Sequence, residues 1–324
     1  MINFRYHVVS LTAVFLALAI GLVVGTAALN GPVADSLKDQ ITALTKDNSN
    51  KRDQINQYRD ELNRSQDFAT EIAPTVLGGK LTGRKLLVLS LPGSSDYVDG
   101  VVSMLKVAGA TITAKVTVQD KFFDPTVAIE LLDLASQSSQ PTIQTEGLPS
   151  NSDGVETASA QLALALLQRS GTPPSANDVT AVLTAYGKQG YIALDEKDGK
   201  AVGGAEGTVI ISGTPAVDKN AAKKSQSAVT VATQFSKNKP LVIAGDGVGD
   251  GNLIAAVRGD PTLIKTCSSA RSACPGAIST VDNASTVQGQ VATSMAAIER
   301  IVQNKVGQYG LAAGASALVP KAAG

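Results

Sequence analysis

The run "RKLLVLSLPG" (residues 84–93) is almost unbroken in its apolar character and closes on Pro-Gly. A strand wetted on one face alternates apolar and polar residues, whereas a strand covered on both faces reads as a continuous apolar run. The segment therefore predicts an interior strand that ends in a turn. Residues 96–108 follow with helical spacing, and "TITAKVTV" (residues 111–118) is rich in β-branched residues, so a βαβ unit begins here. Working outward, helices are expected over 126–136, 157–170 and 176–188, with polar loops between them. "TVIISG" (208–213), a helix over 221–238 and "PLVIAG" (240–245) then repeat the order strand, helix, strand, and a last helix is expected over 285–305. Alternation of this kind predicts an α/β fold, Rossmann-like, with a mainly parallel sheet covered on both faces.

Composition removes several functions. Basic and acidic side chains balance at 28 each and aromatics make up 4%, so neither a nucleic-acid-binding charge nor stacking platforms for single strands are present. The single histidine, His7, precedes the first apolar run, which leaves the rest of the chain without an imidazole base or ligand. Catalysis would have to run on Asp, Glu, Lys, Ser or Tyr, and no spacing singles out such a set. "SMLK" (103–106) matches S-x-x-K, but the S-D-N and K-T-G elements that accompany it in penicillin-binding enzymes are absent. No catalytic residue and no resident cofactor is assigned.

Ahead of the α/β part, residues 8–29 carry no charge and would form a helix of about 33 Å, enough to cross a bilayer of about 30 Å hydrocarbon thickness. The length favours a retained anchor preceded by a short cytoplasmic start, residues 1–7. The alternative is a cleaved leader, for which the small residues around Thr26 and Ala27 offer a processing site. Arg5 on the short side places the amino terminus in the cytoplasm and the bulk outside. Ala13, Ala17, Gly21 and Gly25 recur every four residues, a spacing that lets two spans approach closely, although small residues are also common in any Ala-rich span.

Residues 32–74 read as a coiled coil. Leu37, Ile41, Leu44, Ile55, Tyr58, Leu62, Ala69 and Ile72 share a seam with a period of 3.5, interrupted by Asn48, Lys51 and Ser65. A continuous helix would extend about 60 Å, and its stripe needs a twin, a partner or the following domain. A hairpin broken at "DNSNK" is the other reading, since those residues favour helix poorly. The domain that follows is expected over 84–310, with a tail over 311–324.

"GDGVGDGN" (245–252) follows a strand, but its alternating glycines fail G-x-G-x-x-G, and a tight turn is expected rather than a phosphate or cation loop. Outside the cytoplasm, Cys267 and Cys274 are most simply a disulfide, which across so short a loop stabilises by about 2–3 kcal/mol. The other reading is a dithiol for copper(I).

The opening "MINFRYHVVSLTAVFLALAIGLVVGT", the coil behind it, and "STVDNASTVQGQVATSMAAIERI" with "GQYG" near the end resemble the actinobacterial family labelled copper transporter or MctB, also known as SteB in cell-separation work. The resemblance covers nearly the whole chain and implies one of two roles. The first is an outer-membrane channel that expels copper. The second is an anchored partner that works with a SteA-type membrane protein and whose coil engages a helix of a cell-wall hydrolase. One apolar helix and a soluble α/β pattern suit the second role, in the inner membrane, without enzymatic activity, with a homodimer through span and coil as a further expectation.

Overall fold

The computed structural model describes residues 4–29, 31–144, 146, 148–149, 153–169, 171, 173–195, 201–237, 239–247, 249–265 and 275–321. The chain divides into two compact units, the first ending at Ser65 and the second beginning at Gln66. Helix α1 (Phe4–Leu29) is apolar on every side, with a mean hydropathy of 2.6 over Phe4–Ala27. Among the described residues it is the one helix long and apolar enough to cross a membrane. Its threonines are satisfied internally, Thr12 donating to the Val8 carbonyl at 2.7 Å and Thr26 to that of Leu22 at 2.9 Å.

Helix α2 (Pro32–Leu77) runs unbroken through Asn48, Ser49 and Asn50, so the hairpin reading is overturned. Pro32 occupies the first position, where a missing N–H costs nothing. Pro74 lies inside the last turn, and the burial of Ala73 and Leu77 on either side of it offsets the lost bond. The turns of α2 from Gln66 onward belong to the second unit, which thus begins well before the expected start at residue 84.

The second unit is built on seven strands: β1 (Lys85–Ser90), β2 (Thr111–Val118), β3 (Ile192–Leu194), β4 (Gly207–Ile211), β5 (Leu241–Ala244), β6 (Ile278–Val281) and β7 (Gln308–Tyr309). Their order across the sheet is β3-β2-β1-β4-β5-β6-β7, parallel throughout except for β3, which runs antiparallel to β2. Successive side chains point to opposite faces. Leu87, Leu89, Ile210 and Ile243 enter one core, and Leu86, Val88, Val209, Ile211 and Val242 enter the other. The first core is closed by α4 (Ala128–Gln137), α5 (Gly154–Leu166), α6 (Ala176–Lys188), α7 (Ala221–Ser236) and α8 (Leu253–Gly259). The second is closed by α3 (Ser95–Val107), α9 (Val287–Val302) and the end of α2.

Several of these helices begin where a side chain caps them. Asp153 accepts from Glu156 N, Ser175 from Asp178 N, Asn252 from Ile254 N, and Thr286 from Gly289 N. Of the stretch 245–252, in which Val248 lies outside the described residues, the end is held in the same way: Asn252 uses its side-chain carbonyl oxygen as the cap and donates through Nδ2 to the Asp246 carbonyl at 3.3 Å. Gly247 and Gly251 carry the positive φ that such a turn requires.

The far side of the sheet is locked by one buried ion pair. Arg258, on α8, donates from Nη1 to Asp282 Oδ2 at 2.8 Å, from Nε to Thr280 Oγ1 at 2.8 Å and from Nη2 to the Tyr309 carbonyl at 2.7 Å. Asp282, just past β6, also accepts the backbone N–H groups of Leu311 at 2.7 Å and Ala312 at 3.1 Å. The two side chains are 5% and 1% exposed. Gly310 packs so closely that a Cβ there would stand 2.2 Å from Asp282 Oδ1. Through these bonds Leu311 and Ala312, read from sequence as the start of a tail, are tied to the unit, and Ala317 is bridged to Tyr309.

Removing one partner of a buried pair strands the other charge. Asp282→Ala is expected to cost about 3–5 kcal/mol, read as an earlier urea midpoint for the detergent-solubilised protein. A loss below about 1 kcal/mol would mean that the pair is dispensable.

Candidate functional site

In an open parallel sheet, ligands bind outside the carboxyl ends of the strands where the strand order reverses. Here the reversal falls between β1 and β4. The turn over Leu91, Pro92 and Gly93 divides this edge into two cavities. One, of about 280 Å³, is floored by Ser212 and Gly213 and walled by Ala228 of α7 and by Leu253. The other, of about 340 Å³, lies between the ends of β1 and β2 and includes Ser95, Lys115 and Asp195.

At the switch point itself the loops after β1 and β4 touch, and the two cavities lie on either side of that contact. A Cβ at Gly213 would lie 2.0 Å from the Pro92 carbonyl oxygen, so the two loops meet backbone to backbone where a nucleotide-binding loop would open. The ladder continues past the strand ends, with Leu91 N–H donating to Ile211 O and Ser212 N–H to Ala244 O, both at 2.8 Å. Polar side chains along the edge bond to one another. Ser90 donates to Thr117 at 2.9 Å, Tyr97 OH to the Ser212 carbonyl at 2.6 Å, and Lys224 to Asp218 at 2.6 Å. Lys115 bridges Asp99 at 2.5 Å and Asp195 at 2.8 Å. Burial alone would lower the Lys115 pKa, but its bonds to Asp195 and Asp99 raise it, so the ammonium stays charged. Most polar side chains along this edge are thus paired within the protein, while the hydroxyl of Ser212, on the floor of the first cavity, is buried without a partner.

The residues singled out in the sequence lie elsewhere. On α2, Leu37, Ile41, Leu44, Ile55, Tyr58 and Leu62 are exposed, Leu44 to 68% and Tyr58 to 70%. Ala69 is buried in the second unit, and Ile72 is 38% exposed. Ala17, Gly21 and Gly25 lie on α1, and a Cβ at either glycine would meet nothing within 4 Å. Cys267 and Cys274 lie outside the described residues. Among the described residues, no group of three His, Cys, Asp or Glu side chains is arranged to hold a metal ion. The Arg258–Asp282 lock escaped sequence reading because its partners are 24 positions apart and no local pattern announces them.

The layout defines a class: one membrane-compatible amino-terminal helix, a long amphipathic helix and a doubly covered, mostly parallel α/β unit. The chain belongs to the MctB family, whose model, described as "Copper transport outer membrane protein, MctB", matches residues 1–320. It is similar to the "Copper transporter MctB" of Mycobacterium tuberculosis (strain ATCC 25618 / H37Rv), 27% identical over 97% of this chain and 98% of that one. The protein of the same name from Mycobacterium leprae (strain TN) is 25% identical over 98% of this chain and 99% of its own length. The sequence blocks behind the resemblance now have places in the fold. From Phe4 onward the opening block lies in α1, "STVDN" is the end of β6 with the lock and the approach to α9, and "GQYG" is β7 with its turn.

Tyr97 supplies a test of this edge. Burial, chiefly, and then the charges of Asp246 and Asp96 push its phenol from 10.0 to about 12. Between pH 10.0 and about 12 the unfolded chain sheds this proton while the folded protein keeps it. Stability is therefore intact below pH 10 and falls as pH rises through that window. Tyr97→Phe should flatten this part of the alkaline denaturation profile while costing about 1 kcal/mol at neutral pH. An unchanged alkaline slope would refute the assignment.

Proposed function

We propose that this protein is a non-enzymatic, membrane-anchored envelope scaffold whose α2 seam recruits a helical partner. In this reading α1 holds the chain in the inner membrane with its amino terminus in the cytoplasm, as Arg5 favours, and the α/β unit lies outside. The seam engages a regulatory helix of a cell-wall hydrolase, and a SteA-type membrane protein is the companion at the membrane. The observation that carries the reading is the solvent-exposed apolar stripe from Leu37 to Leu62, because apolar side chains at heptad spacing on a charged helix are a docking surface for another helix.

A second reading is copper homeostasis, favoured by the description of the family and by the names of its mycobacterial members. Copper would then be cargo, and Cys267, Cys274, Met104 and Met295 are the soft ligands that the sequence provides beyond the span.

The two readings separate by mutation. Leu44→Asp with Ile55→Asp should abolish capture of the hydrolase helix and leave chains of unseparated cells, with the head's thermal unfolding unchanged. Normal separation in that variant would sink the scaffold reading. Cys267→Ser with Cys274→Ser should raise copper sensitivity under the second reading, and unchanged tolerance would count against it.

A further inference from the structure

We propose that the α2 seam is closed by a second copy of this chain, in a parallel, in-register, two-stranded coil. The pairing stands whether or not a hydrolase is the eventual partner. Heptad positions follow from the seam: Ile41, Asn48, Ile55 and Leu62 occupy a, and Leu37, Leu44, Lys51 and Tyr58 occupy d. β-Branched Ile at a with Leu at d favours two parallel strands, and a single Asn at an a position fixes both strand number and register, because it bonds its own counterpart only when the chains are aligned.

The flanking charges decide the direction. Lys38, Arg52 and Arg59 are at e, with Thr45 between them, and no acidic residue is among them. Asp47 and Glu61 are at g, with Gln40 and Gln54, and no basic residue is among them. An antiparallel pair sets e against e and g against g, which places like charges side by side along both flanks. A parallel pair sets each g against the e of the following heptad in the other helix. Asp47 then meets Arg52 of the second copy, twice by symmetry.

Lys51, on the seam itself, already leans out to Asp47 at 2.8 Å, so its charge lies on the flank. Asn48 and Lys51 make two successive polar layers in an apolar seam, the weakest point of the coil and the natural entry for a competing helix. Insertion into one membrane orients both copies alike, which agrees with the parallel choice.

The test uses the full-length protein in its native membrane, with Cys267→Ser and Cys274→Ser as background. Leu37→Cys, Leu44→Cys and Leu62→Cys, introduced singly, should each give a disulfide-linked dimer under mild oxidation, while Lys46→Cys on the opposite face should not. An antiparallel pair can join like positions only at its centre, so bridging at all three sites reports a parallel, in-register coil. Failure at all three, or linkage to a protein of different mass, would overturn the proposal. A charge test leaves the seam intact. On the Leu44→Cys background, Asp47→Arg or Arg52→Asp should each lower dimer yield about fivefold, and the two together should restore it. An unrestored double variant would rule out the Asp47–Arg52 pairing.

Discussion

A parallel sheet must be covered on both faces, because neither face has a polar set of side chains to turn toward water. The remaining architecture follows from that constraint. The strands β1, β4, β5 and β6 are buried on both sides, so each needs a helical layer above and below. One layer has five helices drawn from the connections of the unit itself. The other has α3 and α9, which leave a gap that Ala73 and Leu77 at the end of α2 fill. Helix α2 and the α/β unit are therefore not separable pieces of sequence: the last turns of α2 are core residues of the unit.

The same constraint explains why the family's most recognisable blocks do structural work. β6 and β7 lie toward one side of the sheet, where β7 is too short to hold itself by ladder bonds. Arg258 and Asp282 substitute side-chain bonds for the missing ladder, drawing on Thr280, the Tyr309 carbonyl and the backbone after Gly310. A charged pair this deeply buried tolerates no loss of either member, which ties α8, β6 and the chain beyond β7 into one cooperative unit.

Local pattern revealed much of this. β1, β2, β4, β5 and α6 were legible because long apolar runs and helical spacing are properties of adjacent residues. The start of α5 at Gly154 depends on the cap from Asp153, which apolar spacing cannot locate. β3, α8 and β7 are three, seven and two residues long, too short for any periodicity to emerge. β6 contains Ser279 and Thr280, which dilute its apolar signal even though both are fully buried. That α2 is helical was legible for the same reason that β1 was. The carboxyl edge was not, because the contact between Gly213 and Pro92 joins residues that only the fold brings together.

The sheet's two outer strands are also its shortest, three residues in β3 and two in β7. Exposed strand edges are the usual templates for adding a strand from another chain, and short edges deny that template. A protein built this way resists edge-to-edge aggregation in a crowded compartment. Short edges likewise offer little template to extended peptides that bind by lengthening a sheet.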